Sequence, residues 1–435
     1  MAVYLICYVI SFVLAGQHLY MLSGLVLIGS ALWLYWSDYE RTGNLIHLRG
    51  LFCLFFVGGQ GISCFKLSAL QTDWSFMTWL SLGLAVVSFW VVFEVLTRLY
   101  DGWSAADMGS VYRFFSSADS PLQAKRILKA MAVITAVSYL AFFFEAWKLG
   151  FIPMFSYGVP HAYSYFHVTG VHYFTVSCVL VPSFGVVYGV MASRRGRGLT
   201  RDRGFWLVLV LSALSLAVPL LCVSRFQLIL AVGMAVITFI SMSGSLQARI
   251  VFILAAAMIP AYIGLTVLRS HSVEYLNGIF EIKNPNMPIF ITQPYMYIAN
   301  NYDNFNCLVE QLPAHTFGLK MLFPLWALTG LKFLMPSLVN FPLYVTKEEL
   351  TTLTLFYDSY YDFGVFGVVL LGALLGAACY LLVRCRRKLT CPAGHVVYAQ
   401  IAMYMILSFF TTWFSNPATW LYLAVTLIVY FYVNA

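Results

Sequence analysis

The chain has 435 residues, 61% of them hydrophobic and only 10% charged. An ordinary soluble domain carries about 25% charged residues, so a water-soluble globular protein is excluded and a polytopic helical membrane protein remains. The net charge of +8 does not point to nucleic acid, because the basic residues gather in loops between apolar runs, where they orient membrane helices.

A spanning helix needs about 20 mostly apolar residues. Runs of that order predict helices near 2–15, 18–36, 48–66, 75–96, 127–147, 168–191, 205–221, 225–243, 248–268, 357–383, 395–412 and 417–433. Irregular backbone cannot face hydrocarbon. The expectation is therefore an all-α transmembrane bundle of about twelve spans, residues 1–435 forming one integral membrane domain. Met1 leads into the first run without a basic n-region or a small-residue cleavage site, so that helix reads as an uncleaved anchor.

Two basic clusters set the orientation: Arg194, Arg195, Arg197, Arg201 and Arg203 after the sixth predicted helix, and Arg384, Arg386, Arg387 and Lys388 after the tenth. Four crossings separate them, so both lie on one side, the cytoplasmic one by the positive-inside rule. Arg98, Arg113, Lys125, Arg126 and Lys129 fall on the same side. Both termini are then cytoplasmic.

Residues 269–356 form the long outward-facing loop of this scheme, periplasmic or extracellular. Seven of the fifteen prolines lie here, with Tyr275, Tyr295, Tyr297, Tyr302 and Tyr344. A loop this long has a function. Its tyrosines suit either sugar stacking or an interfacial aromatic belt. The apolar stretch Thr316 to Leu334 is interrupted by Lys320, Pro324 and Lys332, and a span there would put Arg384 to Lys388 outside. Short helices lying in the interface are expected instead.

Polar chemistry is predicted to collect at the outer helix ends. Arg225 opens the eighth helix, and Arg269 with His271 follows the ninth. Arginine's planar fork pairs bidentately with phosphate, although snorkelling to phospholipid headgroups also explains such residues. The tenth helix opens with Tyr357, Asp358, Tyr360, Tyr361 and Asp362, and Asp358, Tyr361 and Asp362 share a face. Capping is the competing explanation; it suits Asp358, whereas Asp362 stands a turn further in. Glu145 and Lys148 have the spacing of a surface ion pair, followed by His161, His167 and His172 without the spacing of a metal site. The nine cysteines show no CxxC and read as packing residues. Internal repeats and Gly-rich phosphate loops are absent.

The segments GFIPMFS at 150–156, VTGVHYF at 168–174, SRFQLIL at 224–230 and TLTLFYDSYYDFGVFGVVLLGALLG at 352–376 resemble the bacterial oligosaccharide repeat-unit polymerases, the Wzy-type O-antigen and capsule polymerases. The resemblance implies a metal-independent glycosyltransferase without cofactors, located in the bacterial inner (cytoplasmic) membrane. It would join oligosaccharide units carried on undecaprenyl diphosphate at the outer face, with a chain-length regulator as an accompanying protein. Outward arginines important in that family map onto Arg225 and Arg269. The family's Arg followed by ten residues and Gly is not kept, since Val236 and Phe280 stand at those places.

Cleaving an anomeric carbon from diphosphate builds negative charge on the leaving oxygen, which fixed cations stabilise. Arg225, Arg269 and Asp362 are accordingly the expected catalytic residues, with His271, Glu145, His172, Tyr361 and Asp358 binding substrate. Base candidates for the attacking hydroxyl are Asp362, Glu145 and His271, in that order. An O-antigen ligase, with the same donor and a lipid A core acceptor, and a non-enzymatic lipid-linked oligosaccharide flippase are the alternatives.

Overall fold

The computed structural model describes residues 1–101, 120–156, 162–194, 199–244, 273–284, 286–386 and 391–435. Among them the protein is helical, with no strand and a single antiparallel bridge between Ser68 and Ile282. Contacts divide the chain into two units. The first comprises Met1–Gly109, Ser272–Arg384 and Tyr404–Pro417; the second comprises Ser110–His271, Cys385–Met403 and Ala418–Ala435.

Eight described helices are long and apolar enough to cross a membrane. We label the helices α1 (Ala2–Gly16), α2 (Tyr20–Thr42), α3 (Leu48–Ser63), α4 (Phe76–Asp101), α5 (Pro121–Leu149), α6 (His172–Arg194), α7 (Arg203–Leu221), α8 (Arg225–Ser243), α9 (Val273–Phe280), α10 (Ile289–Gln311), α11 (Phe323–Leu328), α12 (Leu331–Leu334), α13 (Tyr357–Arg386), α14 (Gly394–Ile406) and α15 (Pro417–Asn434). The eight are α2, α4 to α8, α13 and α15. Of the other expected spans, α1 and α3 are apolar but shorter than 18 residues. The run 395–412 gives only the 13-residue α14, and 248–268 lies outside the described residues. Eight of the twelve expected spans are thus matched by described helices of spanning length.

Small and polar residues join the helices of the first unit. Ser11 and Ser23 exchange hydrogen bonds between α1 and α2, each hydroxyl donating to the other's carbonyl at 2.9–3.0 Å, as suits helices that gain no hydrophobic drive from one another in lipid. Gly372 and Gly376 on α13 press against α4, where a Cβ on Gly372 would stand 2.9 Å from the Ala85 carbonyl. The middle of α3, Cys53–Val57, is a π-helical turn, and the Phe56 carbonyl there accepts from the Tyr302 hydroxyl at 2.5 Å. In the second unit, α5 starts on a Ser120 cap followed by Pro121 and ends at Gly150 in the left-handed region.

The described residues 273–284 and 286–356 hold more helix than the loop with short interfacial helices that the sequence suggests. They include the 23-residue α10, which was not foreseen. Thr316 to Leu334 folds as turns with the short helices α11 and α12 in place of one span.

Candidate functional site

In the first unit, the start of α13 is the anchor. Gly364 (φ 61°, ψ −144°) interrupts the helix, a conformation that glycine alone adopts without cost, and His315 packs against the position where a Cβ would be. Just before the interruption the carbonyls of Tyr361 and Asp362 accept from the N–H groups of Thr316 (3.4 Å) and Phe317 (3.1 Å). The buried Asp362 carboxylate accepts from the Thr316 hydroxyl, the Lys320 N–H at 3.1 Å and the Met321 N–H at 2.8 Å. Residues 315–321 are thereby stitched to the first two turns of α13. A second arm docks beside them: the Tyr357 hydroxyl donates to the Tyr344 carbonyl and accepts its N–H, both at 2.9 Å, and Tyr361 donates to the Pro342 carbonyl at 3.2 Å.

The two arms frame Asp358, Lys320 and Tyr361. Lys320 Nζ lies 4.0 Å from Asp358 Oδ1, with the lysine side chain 19% exposed, and stands 4.9 Å over the Tyr361 ring, a cation–π arrangement. Thr412 and Ser415 lie beside Asp358. At 4.0 Å the ion pair is loose, whereas Asp362 is saturated. The two carboxylates have different surroundings: Asp362 fastens the loop, and Asp358, itself buried beside Thr412 and Ser415, keeps a carboxylate near a partly accessible cation. Tyr344 and Tyr361, with ring centroids 5.9 Å apart, give the cluster an aromatic wall.

Helix α10 supports this arrangement with a buried polar face. Asn304 donates to the carbonyls of Leu350 and Thr352 and accepts from the Thr346 N–H at 2.7–2.9 Å, and Asn301 accepts from the Thr352 hydroxyl. On its other side Asp303 receives Lys66 Nζ and Trp74 Nε1 at 2.7 Å and Gln71 Nε2 at 2.6 Å. Losing one partner of such a buried pair costs about 3–5 kcal/mol. Burial, then the Asp303 and Glu310 carboxylates, push the Cys307 thiol up to about 11, so it is not a nucleophile at neutral pH.

In the second unit, Glu145 at the end of α5 is fully buried. It accepts from the Val168 N–H (2.8 Å), His172 Nδ1 (3.1 Å) and the Thr175 hydroxyl (2.6 Å). The expected surface pair with Lys148 is replaced by this tether, because three donors from residues 168–175 converge on the carboxylate. His172 is the accessible member, its side chain 20% exposed, and its ring meets that of His167 at 5.0 Å. Arg225 is 7% exposed in the first turn of α8. Two residues earlier Val223 has φ 54°, an outlier for a β-branched side chain, and such strain gathers at functional sites.

The structure thus brings Asp358, Tyr361 and Asp362 together in the first unit and Glu145 with His172 in the second, where Arg225 also belongs. Arg269 and His271 lie outside the described residues, as do Arg113, His161, Arg195, Arg197, Arg387 and Lys388. Sequence reasoning missed Lys320, noticed only as an interruption of an apolar run, and Asp303, whose signal was the density of Asn and Asp over 300–306. Among the described residues no group of three His, Cys, Asp or Glu side chains is placed to hold a metal ion.

The helices define a multi-pass α-helical membrane protein. No protein family, curated protein or solved structure matches the chain.

Proposed function

We propose that this protein is a membrane glycosyltransferase that polymerises undecaprenyl-diphosphate-linked oligosaccharide units into O-antigen, capsular or exopolysaccharide at the outer face of a bacterial cytoplasmic membrane. The observation that carries the reading is the Asp358, Lys320 and Tyr361 cluster, walled by tyrosines and built by a long polar segment onto the entry of a membrane helix. Aromatic faces and a carboxylate suit a sugar hydroxyl, and a cation suits a diphosphate. The resemblance, independently of the Asp358 cluster, gives Arg225 and Arg269 the donor's diphosphate. In the reaction the bond between the anomeric carbon and the diphosphate oxygen breaks and undecaprenyl diphosphate leaves. The acceptor hydroxyl bonds to that carbon, and its proton passes to a base, for which Asp358 replaces Asp362. The break at Gly364 does not favour a transporter with a central site, because the 22 residues from 365 to 386 still reach about 33 Å, past a hydrocarbon core of about 30 Å.

The test is a chain-length ladder of surface polysaccharide in cells lacking the native gene and complemented with variants. Arg225→Ala is expected to leave single repeat units at unchanged protein level, and Arg225→Lys to restore little, since an ammonium lacks the bidentate fork. A ligase would instead leave long polymer on its lipid carrier, and a flippase would trap units inside. A normal ladder from an expressed Arg225→Ala protein would overturn the reading.

A further inference from the structure

A groove of about 320 Å³ runs through the second unit between α5, the start of α6 and α15. Val133 and Val137 of α5, Phe174 of α6 and Ile428 of α15 line it, and Lys129 and Tyr432 stand in its wall. Val133, Val137, Ile428 and Tyr432 are all exposed. From Lys129 to Val137 the wall extends about 12 Å at 1.5 Å per residue, and it is apolar over that length.

Charge sits at one end. The Arg126 guanidinium lies 5.8 Å over the Tyr432 ring, and Arg126 and Lys125 stand three and four residues before Lys129, on the same side of the helix. With 29 residues, α5 is about 43 Å long against a hydrocarbon core of about 30 Å. The excess of about 13 Å equals its first two turns and a little more, the stretch that carries Lys125, Arg126 and Lys129, which suits a headgroup position for these cations with the apolar residues from Val133 onward in the hydrocarbon. A slot with cations at headgroup level and apolar walls below them matches a lipid with a negative head. Basic pockets between membrane helices recognise anionic headgroups in this manner.

We propose that the groove holds one acyl chain of an anionic glycerophospholipid of the bilayer, its phosphate resting on Arg126 and Lys129. The lipid ties α5 to α15 and stabilises the second unit.

The test uses the full chain purified in detergent. Its thermal unfolding midpoint and its native mass spectrum are recorded with dioleoyl phosphatidylglycerol, with dioleoyl phosphatidylcholine and with inorganic phosphate. Phosphatidylglycerol is expected to raise the midpoint and to remain bound as one copy, while the other two do neither. Arg126→Ala and Lys129→Ala should each weaken the effect about fivefold. Val133→Trp, at an exposed position, should displace the bound copy and leave the lipid-free midpoint unchanged. Equal stabilisation by phosphatidylcholine would make the occupant ordinary solvating lipid, and equal stabilisation by phosphate would make the groove irrelevant. A phosphatidylglycerol effect undiminished in Arg126→Ala/Lys129→Ala would remove the charged end. Each of these results overturns the proposal.

Discussion

Changing Asp362 to Asn removes the charge from a carboxylate that accepts one hydroxyl and two backbone N–H groups, and it turns an amide NH₂ toward at least one donor. Hydrogen bonds to charged groups contribute about 1.5–3 kcal/mol each, so Asp362→Asn is expected to destabilise the protein by about 2–3 kcal/mol, read as a lower unfolding midpoint in detergent. Asp358→Asn should hold the midpoint within about 1 kcal/mol, because its ion pair to Lys320 is loose and the buried amide oxygen can still accept from the hydroxyls of Thr412 and Ser415 beside it. If Asp358 receives the acceptor proton, the same change slows polymerisation by about 10²-fold or more, measured as shortened ladders at equal protein level. A stable Asp362→Asn protein with lost activity, beside a fully active Asp358→Asn, would restore the order of the two residues that helix position alone suggests. Capping rules see only a residue's own helix, whereas the donors to Asp362 come from 41 to 46 residues earlier in the chain. Glu145 was misread for the same reason: its true partners lie 23 to 30 residues downstream.

Among the elements, the long apolar helices were legible because membrane insertion writes them into composition, and α4, α5, α7, α8, α13 and α15 fall close to where the runs predict them. Helix α10 was not legible. Its residues 299–306 are all buried and include Asn300, Asn301, Asp303, Asn304 and Asn306; such a run has the composition of a loop, and chain segments on both sides supply its hydrogen-bond partners. The contact between α4 and α13 is a further case of partners deciding tolerance. A Cβ on Gly376 would stand 3.1 Å from the Phe89 carbonyl carbon, so Gly376→Val should cost about 1–3 kcal/mol by overpacking, whereas the exposed Leu374→Val nearby should stay within about 0.5 kcal/mol. Unfolding midpoints of the two variants check this, and a Gly376→Val protein as stable as the parent would mean that α4 and α13 separate easily.

For the whole molecule, sidedness is open to a direct test through Cys385, the one exposed free thiol among the cysteines. Charge bias assigns it to the cytoplasm. A membrane-impermeant maleimide should therefore spare Cys385 in intact spheroplasts and label it in inverted vesicles, while a cysteine placed at Glu310 should react in spheroplasts; labelling of Cys385 from outside would reverse the orientation. The Lys66 and Asp303 pair adds a matter of timing. The two residues are 237 positions apart, and at about 5–20 residues per second of synthesis the lysine waits roughly 10–50 s for its carboxylate. Gln71 and Trp74 wait with it, since they share that acceptor. The pair thus closes late, and the first helices reach their final hydrogen bonding only after the segment that carries Asp303 has been made.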